Sequence, residues 1–200
     1  MSLTTYEEGQ LLYSPEEYGE RIFVLQSGRV RLYKLSPEGR ALTLMVLEPV
    51  TLFGEMTLVG HWMHDSFAEA MTDCVIGVIR RDVMREILMH YPQVALRFME
   101  LMGQRLREIQ NKLADIAFKS VPQRLATVLL NMADLSSTSP FTMPPTVIRY
   151  THQQLAEMIG SYRETVTKAM GDFRAAGLIR IDDEMIYLTN IERLQQLAHR

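Results

Sequence analysis

Short runs in which apolar and polar residues alternate fill the chain up to about residue 80. RIFVLQSGRVRLYKL alternates around Ser27-Gly28, and SPEGRALTLMVL begins with a Pro-Glu-Gly turn before another alternating run. A period of two is typical of β-strands with one buried face. Further turns between strands are indicated by Gly54, Gly60 and Gly77. Strands this short and evenly spaced predict a small barrel or jelly roll.

The pattern becomes helical near Arg81. RDVMREILMHYP predicts a short helix that ends at Pro92, and the next 26 residues contain no further proline. Within them, apolar residues recur in steps of three and four, the a/d seam of a two-stranded coiled coil. The seam residues are Met99, Met102, Leu106, Ile109, Leu113 and Ile116. At 1.5 Å per residue this helix measures about 39 Å, so we expect it to pair two subunits; the alternative is a long core helix packed on its own domain.

A new helix starts in KSVPQRLATVLLNMADL, with Ser120 as the N-cap and Pro122 in the first turn. The following SSTSPFTMPP is rich in proline, serine and threonine and predicts a loop. We therefore expect a domain boundary between Phe118 and Val121.

Two capping-box sequences, Thr151-x-x-Gln154 and Ser161-x-x-Glu164, lie ten residues apart. In this pattern the third side chain of a helix bonds back to the N-cap amide, so each predicts a helix start. Gly160 ends the first helix, and we expect the second to run to Ala176 and to end at Gly177, because glycine adopts the left-handed conformation at least cost. Two helices joined by such a turn form a candidate helix-turn-helix.

The residues around this turn suit two closely crossing helices. Ala156 is small at the crossing, Val166 faces the first helix, and Leu155 and Ile159 complete a shared core. LIRIDDEMIYL then predicts two short strands around residues 182–184, a β-hairpin wing.

The start of the second helix of such a motif enters the DNA major groove. Arg163 offers a two-pronged donor to guanine, Glu164 can accept from the cytosine amino group, and Lys168 can donate to guanine. Further contacts to phosphates or a thymine methyl are expected from the start of each helix. These residues are Thr151, His152, Gln153, Tyr162 and Thr167.

At this point the chain resembles the cyclic-AMP receptor protein/FNR family of transcription regulators, whose signature is Arg-Glu-Thr-Val followed by a basic residue. The resemblance includes GSYRETVTKAM, FVLQSGRVRLY, LFGEMTL and LADIAF. It implies an α+β fold in three parts: a jelly-roll β-roll of the cyclic-nucleotide-binding type (1–90), a dimerisation helix (91–118) and a winged helix-turn-helix domain (119–200). The family's base-reading Arg and Glu correspond to Arg163 and Glu164. Lys168 replaces the family's second Arg; it keeps the positive charge but lacks the rigid, two-pronged guanidinium group.

The resemblance also implies an effector pocket in the β-roll. Family members that bind cyclic AMP resemble this chain at Gly54 and Glu55, where Glu holds the ribose hydroxyl and the turn amides hold the phosphate. The adenine-reading Thr-Ser pair of the long helix falls on Ile109 and Gln110. The family pattern thus places the pocket between the β-roll and the long helix.

The phosphate end of this pocket departs from the family. An Arg-Ser or Arg-Thr pair is expected about eleven residues after the glutamate; Ser66 is kept, but Asp65 or His64 occupies the arginine position. An Asp repels a phosphate, and a neutral His is a poor substitute for Arg. We therefore do not expect cyclic AMP to bind: the pocket takes another small molecule, or the protein is active without one.

Charge and composition fit this interpretation once the charge is divided along the chain. The whole chain has 21 Lys/Arg and 24 Asp/Glu, a net charge of −3. From Phe118 onward there are 9 Lys/Arg and 8 Asp/Glu, so the residues before Phe118 include 12 Lys/Arg and 16 Asp/Glu. The acidity therefore lies in the N-terminal part. The single cysteine, Cys74, fits a reducing cytoplasm and a core position in an apolar strand, and no apolar run approaches the roughly 20 residues of a membrane span.

No residue pattern predicts an enzyme, a cofactor or a metal site. His61 and His64 have metal-like spacing beside Asp65, but the remaining ligands of a metal-binding cupin are missing. We expect a cytoplasmic, homodimeric transcription regulator that binds near-palindromic double-stranded DNA, with its two recognition helices about 34 Å apart and RNA polymerase as a second partner. The family resemblance implies TGTGA-like half-sites. The alternatives are a small-molecule-binding module that acts through protein contacts and a cupin-like enzyme.

Overall fold

A computed structural model describes most of the chain, namely residues 2–15, 17–59, 63–133, 145–148, 150–182 and 185–199. The chain divides into two compact units, residues 1–109 and residues 110–200. The boundary between them falls within the long helix. The three-part division expected from the sequence stays a prediction.

The first unit contains two four-stranded antiparallel sheets, with strand orders β1-β8-β3-β6 and β2-β7-β4-β5. Apart from the β4–β5 hairpin, which stays within one sheet, consecutive strands pass from one sheet to the other. This is the arrangement of a jelly roll, so the prediction is confirmed. The strands are β1 (Ser2–Tyr6), β2 (Leu11–Tyr13), β3 (Arg21–Ser27), β4 (Val30–Leu35), β5 (Ala41–Leu47), β6 (Thr51–Phe53), β7 (Phe67–Ala70) and β8 (Cys74–Arg80).

The core of this unit lies between the inner faces of the two sheets. Phe23 pairs with Phe53 across β3 and β6, and their ring centroids are 5.2 Å apart. Leu25, Ile76 and Cys74 belong to the same buried cluster. The alternation seen in the sequence thus places every second residue in this core, and Cys74 is the buried core residue predicted.

Two helices follow the jelly roll, α1 (Arg81–His90) and α2 (Pro92–Phe118). Pro92 is the first residue of α2, where its missing N–H leaves no helical hydrogen bond unmade. In the described part of the chain, no helix is long and apolar enough to cross a membrane.

The described part of the second unit contains a three-stranded sheet of order β10-β11-β9 and four helices that follow α2. The predicted hairpin is confirmed as β10 and β11, whereas β9 and α6 are additions that the sequence patterns did not predict. The predicted loop at 136–145 lies, apart from Pro145, outside the described residues. The elements are α3 (Val121–Met132), β9 (Thr146–Ile148), α4 (His152–Ile159), α5 (Arg163–Ala175), β10 (Ile179–Ile181), β11 (Met185–Leu188) and α6 (Ile191–His199).

Two of the three predicted helix caps are present. The amide of Ser120 donates to Gln123 Oε1 at 2.7 Å, and Thr151 caps α4 in the same way. The predicted capping box at Ser161 is wrong, because α5 begins at Arg163 with Tyr162 as its N-cap. The Ser161 amide instead donates to the carbonyl of Ala156 at 2.9 Å, so Ser161 still belongs to the closing turn of α4.

Gly160 and Gly171 offer a matched test of the turn. Gly160 is left-handed, with φ 62°, so Gly160→Ala should lower the free energy of unfolding by about 1–2 kcal/mol. Gly171 lies within α5, and a Cβ there meets no atom within 4 Å, so Gly171→Ala should raise it by about 0.5–1 kcal/mol. Urea unfolding measures both, and a Gly160→Ala variant as stable as the original chain would contradict the assigned turn.

Candidate nucleic-acid interface and effector pocket

The crossing of α4 and α5 buries one face of each helix. Leu155 and Val166 are fully buried, and Ala156 is 1% exposed where the two helices approach each other. Ala169, Met170 and Phe173 continue the buried row of α5. A row spaced by three and four residues fixes the rotation of α5 about its own axis. The helix-turn-helix core predicted from the sequence is therefore present.

The opposite face of α5 is exposed and polar. Arg163, Glu164 and Lys168 are all exposed there, as is Thr167. Tyr162, at the N-cap position, is 60% exposed. The structure thus brings the predicted base-reading residues together on one accessible surface, which we call the α5 polar face (Tyr162, Arg163, Glu164, Thr167 and Lys168). Their assignment as DNA contacts stays a prediction.

The start of α4 is held by hydrogen bonds within the protein. The Gln154 amide donates to Thr151 Oγ1 at 3.1 Å, and the Thr151 amide donates to Gln154 Oε1 at 2.8 Å. Both polar groups of Thr151 are therefore engaged in the cap. Gln153 Nε2 donates to Glu157 Oε1 at 2.8 Å.

A second link joins α4 to α5. His152 Nδ1 lies 2.8 Å from Thr167 Oγ1, and the Thr167 hydroxyl donates to the carbonyl oxygen of Arg163 at 2.9 Å. This chain of contacts ties the start of α4 to the first turn of α5. The predicted contact residues Thr151 and Thr167 thus have structural partners of their own.

The predicted effector residues of the jelly roll lie around a tight turn. Gly54 is left-handed, with φ 79°, and precedes a short 3₁₀ helix, Glu55–Leu58. Glu55 Oε2 lies 2.8 Å from Arg105 Nη1, and the two side chains are only 13% and 10% exposed. Arg105 also donates to the carbonyl of Leu52. The carboxylate expected to hold a ribose hydroxyl is therefore already paired with an internal cation.

Arg105 is a functional candidate that the sequence interpretation missed. The only sequence feature that could have indicated its role is the position of a charged residue on the same part of α2 as Phe98, Leu101 and Met102, which are half-buried. A charge on such a face is buried only when it has a partner, and the pattern alone did not identify Glu55 as that partner.

The phosphate end of the predicted pocket corresponds to residues 64–66. Ser66 is buried, whereas Asp65 is exposed and lies 3.9 Å from the Lys34 ammonium. The His64 ring stacks on Tyr13, with centroids 3.6 Å apart. Burial lowers the pKa of His64, and Glu17 and Asp65 oppose that shift. His64 is thus a packed aromatic residue and not a ready cation.

Burial raises the pKa of the Tyr13 phenol, and the negative charges of Glu55 and Asp65 act in the same direction. The Tyr13 phenol therefore stays protonated. It is a neutral donor or acceptor inside the jelly roll.

Described residues of the first unit line the following two cavities. One, of about 200 Å³, is lined by Met45, Leu101, Gln104 and Arg105 among others. The other, of about 360 Å³, is lined by Glu17, Glu20, Arg21 and His64 among others. The remaining pocket candidates from the sequence, Ile109 and Gln110, are both exposed on α2.

The predicted seam of α2 is largely uncovered in a single chain. Met99 and Leu106 are each 59% exposed, and Leu113 is 67% exposed. Ile109 and Ile116 are 37% exposed, and Met102 is half-buried. Such a row of exposed large apolar side chains indicates a contact surface.

Among the described residues, no group of three or more His, Cys, Asp or Glu side chains could hold a metal ion. His61, the first residue of the metal-like pair, lies outside the described part of the chain.

Both units match known domain families. Residues 3–91 match the cyclic nucleotide-binding domain, and residues 123–197 match the Crp-like helix-turn-helix domain. The class is therefore a transcription regulator with a cyclic-nucleotide-binding-like domain followed by a DNA-binding helix-turn-helix.

Similar proteins specify the family. The transcriptional regulator SdrP of Thermus thermophilus is 30% identical over 97% of this chain and 93% of its own length. A CRP-like cAMP-activated global transcriptional regulator of Mycobacterium tuberculosis is 29% identical over 96% of this chain and 86% of its own length. The crystal structure of a CRP-family transcriptional regulator from Thermus thermophilus superposes with a TM-score of 0.83 at 26% identity, covering 98% of this chain and 97% of the other. The chain belongs to the CRP/FNR family of transcription regulators.

Proposed function

We propose that this regulator binds near-palindromic DNA as a homodimer, with the α5 polar face in the major groove and without a response to cyclic AMP. The observation that carries the proposal is the exposure of Arg163, Glu164 and Lys168 on a helix whose opposite face is buried. RNA polymerase is the proposed second partner.

Each of these three side chains suits a base edge. The Arg163 guanidinium can donate two parallel hydrogen bonds to N7 and O6 of guanine, and an ionised Glu164 can accept from the N4 amino group of cytosine. Lys168 adds a donor one helical turn further along, with a single charged centre in place of a fork. We therefore expect strict recognition at the positions contacted by Arg163 and Glu164 and looser recognition opposite Lys168.

Arg163→Ala should weaken binding to the operator by about 1–3 kcal/mol and change binding to random DNA little, because the lost contact is to a base edge. Arg174→Ala provides the matched control, since Arg174 is an exposed arginine in the last turn of the same helix. Fluorescence anisotropy at fixed salt measures both variants. Equal losses on operator and random DNA would show that Arg163 contacts only phosphate.

The uncovered seam supports pairing through α2. If α2 were a core helix of its own domain, its apolar row would be covered, but Leu106 and Leu113 are more than half exposed. Steps of three and four residues place these side chains on one stripe, where a second copy of the helix can pack them as knobs into holes. Two paired subunits then present two α5 polar faces to one DNA duplex.

Leu113→Lys should convert the dimer into monomers at micromolar concentration, because pairing would bury two ammonium groups in an apolar seam. Asn111→Lys adds the same charge at an exposed position of α2 outside the seam and should leave the dimer intact. Sedimentation velocity distinguishes the two. A Leu113→Lys variant that stays dimeric would place the subunit contact elsewhere.

The jelly roll supports a regulator that does not respond to cyclic AMP. The arginine position of the family pattern falls on Asp65 or His64. Asp65 is a carboxylate with a half-exposed counter-charge, Lys34, at 3.9 Å, and His64 is a buried ring stacked on Tyr13. Arg105 is paired with Glu55, so a ribose would have to compete with an internal cation.

Cyclic AMP at about 1 mM should change the operator affinity less than about twofold, because a ligand shifts an equilibrium only by its differential affinity for the two states. Titration calorimetry with the same nucleotide should show no saturable heat. A tenfold gain in operator affinity, or saturable binding, would overturn the effector proposal while leaving the DNA-binding proposal intact.

A further inference from the structure

The contact chain between His152, Thr167 and Arg163 determines where protons lie on the His152 ring. A carbonyl oxygen cannot donate, so the single Thr167 hydroxyl proton is used in its 2.9 Å hydrogen bond to the Arg163 carbonyl. The 2.8 Å contact between Thr167 Oγ1 and His152 Nδ1 then requires the proton on Nδ1. The neutral His152 ring is thereby held as the Nδ1–H tautomer.

This tautomer leaves the second ring nitrogen, Nε2, with a lone pair. A phosphate oxygen is an acceptor only, so neutral Nε2 cannot bond to it. A protonated ring carries N–H groups on both nitrogens and can donate from Nε2 while Nδ1 still holds Thr167. A charge-assisted hydrogen bond of this type is about twice as strong as a neutral one.

We propose that DNA binding takes up one proton at His152, which then acts as a charged phosphate contact held in position by Thr167. The inference rests on the proposed function, because it requires the start of α4 to lie against the DNA backbone. A phosphate placed at the start of α4 favours the charged ring, because its negative charge attracts an imidazolium.

The elements packed against α4 are α3 and α5. The exposed charged residues in the first half of α5 are Arg163, Glu164 and Lys168. On α4 itself, Glu157 accepts from Gln153. The charged residue of α3, Arg124, donates to the Ile116 carbonyl at 3.5 Å. A phosphate at Nε2 adds a negative charge to these surroundings and so favours the protonated ring.

The thermodynamic linkage between proton uptake and DNA binding determines the direction and the maximum size of the pH dependence of operator affinity. Because the complex contains the protonated ring, operator affinity rises as pH falls and declines as pH rises. One proton allows at most about a tenfold change in Kd per pH unit. Histidine is the side chain that ordinarily changes charge between about pH 5 and 8, so the change should fall in an experimentally accessible range.

The experiment measures anisotropy of a labelled operator with the full chain at constant salt, from about pH 6 to about pH 8. We expect the original protein to bind at least about fivefold more tightly at the lower pH than at the higher. His152→Gln supplies an uncharged amide donor at every pH, so its Kd should vary less than about twofold over the same range. The other histidines remain in this variant, and a His152→Gln protein with the original pH dependence would overturn the proposal.

Thr167→Val tests the positioning role. Valine removes the hydroxyl at nearly constant shape, so the neutral ring is free to carry its proton on Nε2 and to donate to a phosphate without protonation. The pH dependence should shrink at least about twofold, mainly through retained binding at the higher pH. An unchanged pH dependence would contradict the role given to Thr167.

These measurements distinguish a failure of the proposed DNA binding from a failure of the proposed proton uptake. Absence of operator-specific binding at both pH values would overturn the proposed function itself. Specific binding with equal pH dependence in the original protein and in His152→Gln would overturn only the proton uptake. Nitrogen chemical shifts of the His152 ring provide a second readout: we expect the Nδ1–H tautomer in the free protein and imidazolium in the complex.

Discussion

The close packing of α4 against α5 is the constraint on which the proposed DNA surface depends. Successive residues of an α-helix are about 100° apart, so a slip of one residue in this packing would turn the polar face away. Val166, fully buried against the first helix, and Ala156, almost without exposed surface at the crossing, prevent such a slip. Gly160, left-handed at φ 62°, closes the turn that brings the two helices together. The proposed recognition residues and the buried core residues thus lie on opposite faces of one helix.

The jelly roll is governed by a different constraint, the cost of burying charge. Glu55 and Arg105 are each almost completely buried, and each neutralises the other. Removing one member of such a pair typically costs about 3–5 kcal/mol, because it leaves an unpaired buried charge. A ligand that needs Glu55 must therefore replace the Arg105 contact with one of equal strength. This pair connects the turn after Gly54 to α2, the helix that carries the proposed subunit contact.

The features that the sequence predicted well depend on local patterns. Alternation predicted the jelly-roll strands, and steps of three and four predicted the rotation of α5, because side-chain direction repeats with the backbone period. The cap at Thr151 needed only the residue three positions further on. The Ser161 cap failed because two local patterns compete there, and the closing turn of α4, which includes the Ser161 amide, prevailed.

Features missed by the sequence interpretation depend on distant partners or weak signals. Strand β9 has only three residues and is defined by its pairing with β11, about 40 residues away. Arg105 looks like an ordinary helix residue until Glu55 is placed beside it. The helix α6 had a usable signal, since Asn190 Oδ1 accepts the Arg193 amide at 3.0 Å and Leu194 and Ala198 form a buried row. The His152–Thr167 link spans 15 residues and needed the crossing angle of the two helices.

Recognition by paired α5 polar faces can be tested by selecting binding sites from a pool of random DNA duplexes. We expect a near-palindromic site with two half-sites centred about one helical turn apart, each with a G·C pair at a position sensitive to Arg163→Ala. Recovery of sites without two-fold symmetry, or of sites defined only by A·T content, would contradict recognition by paired α5 polar faces.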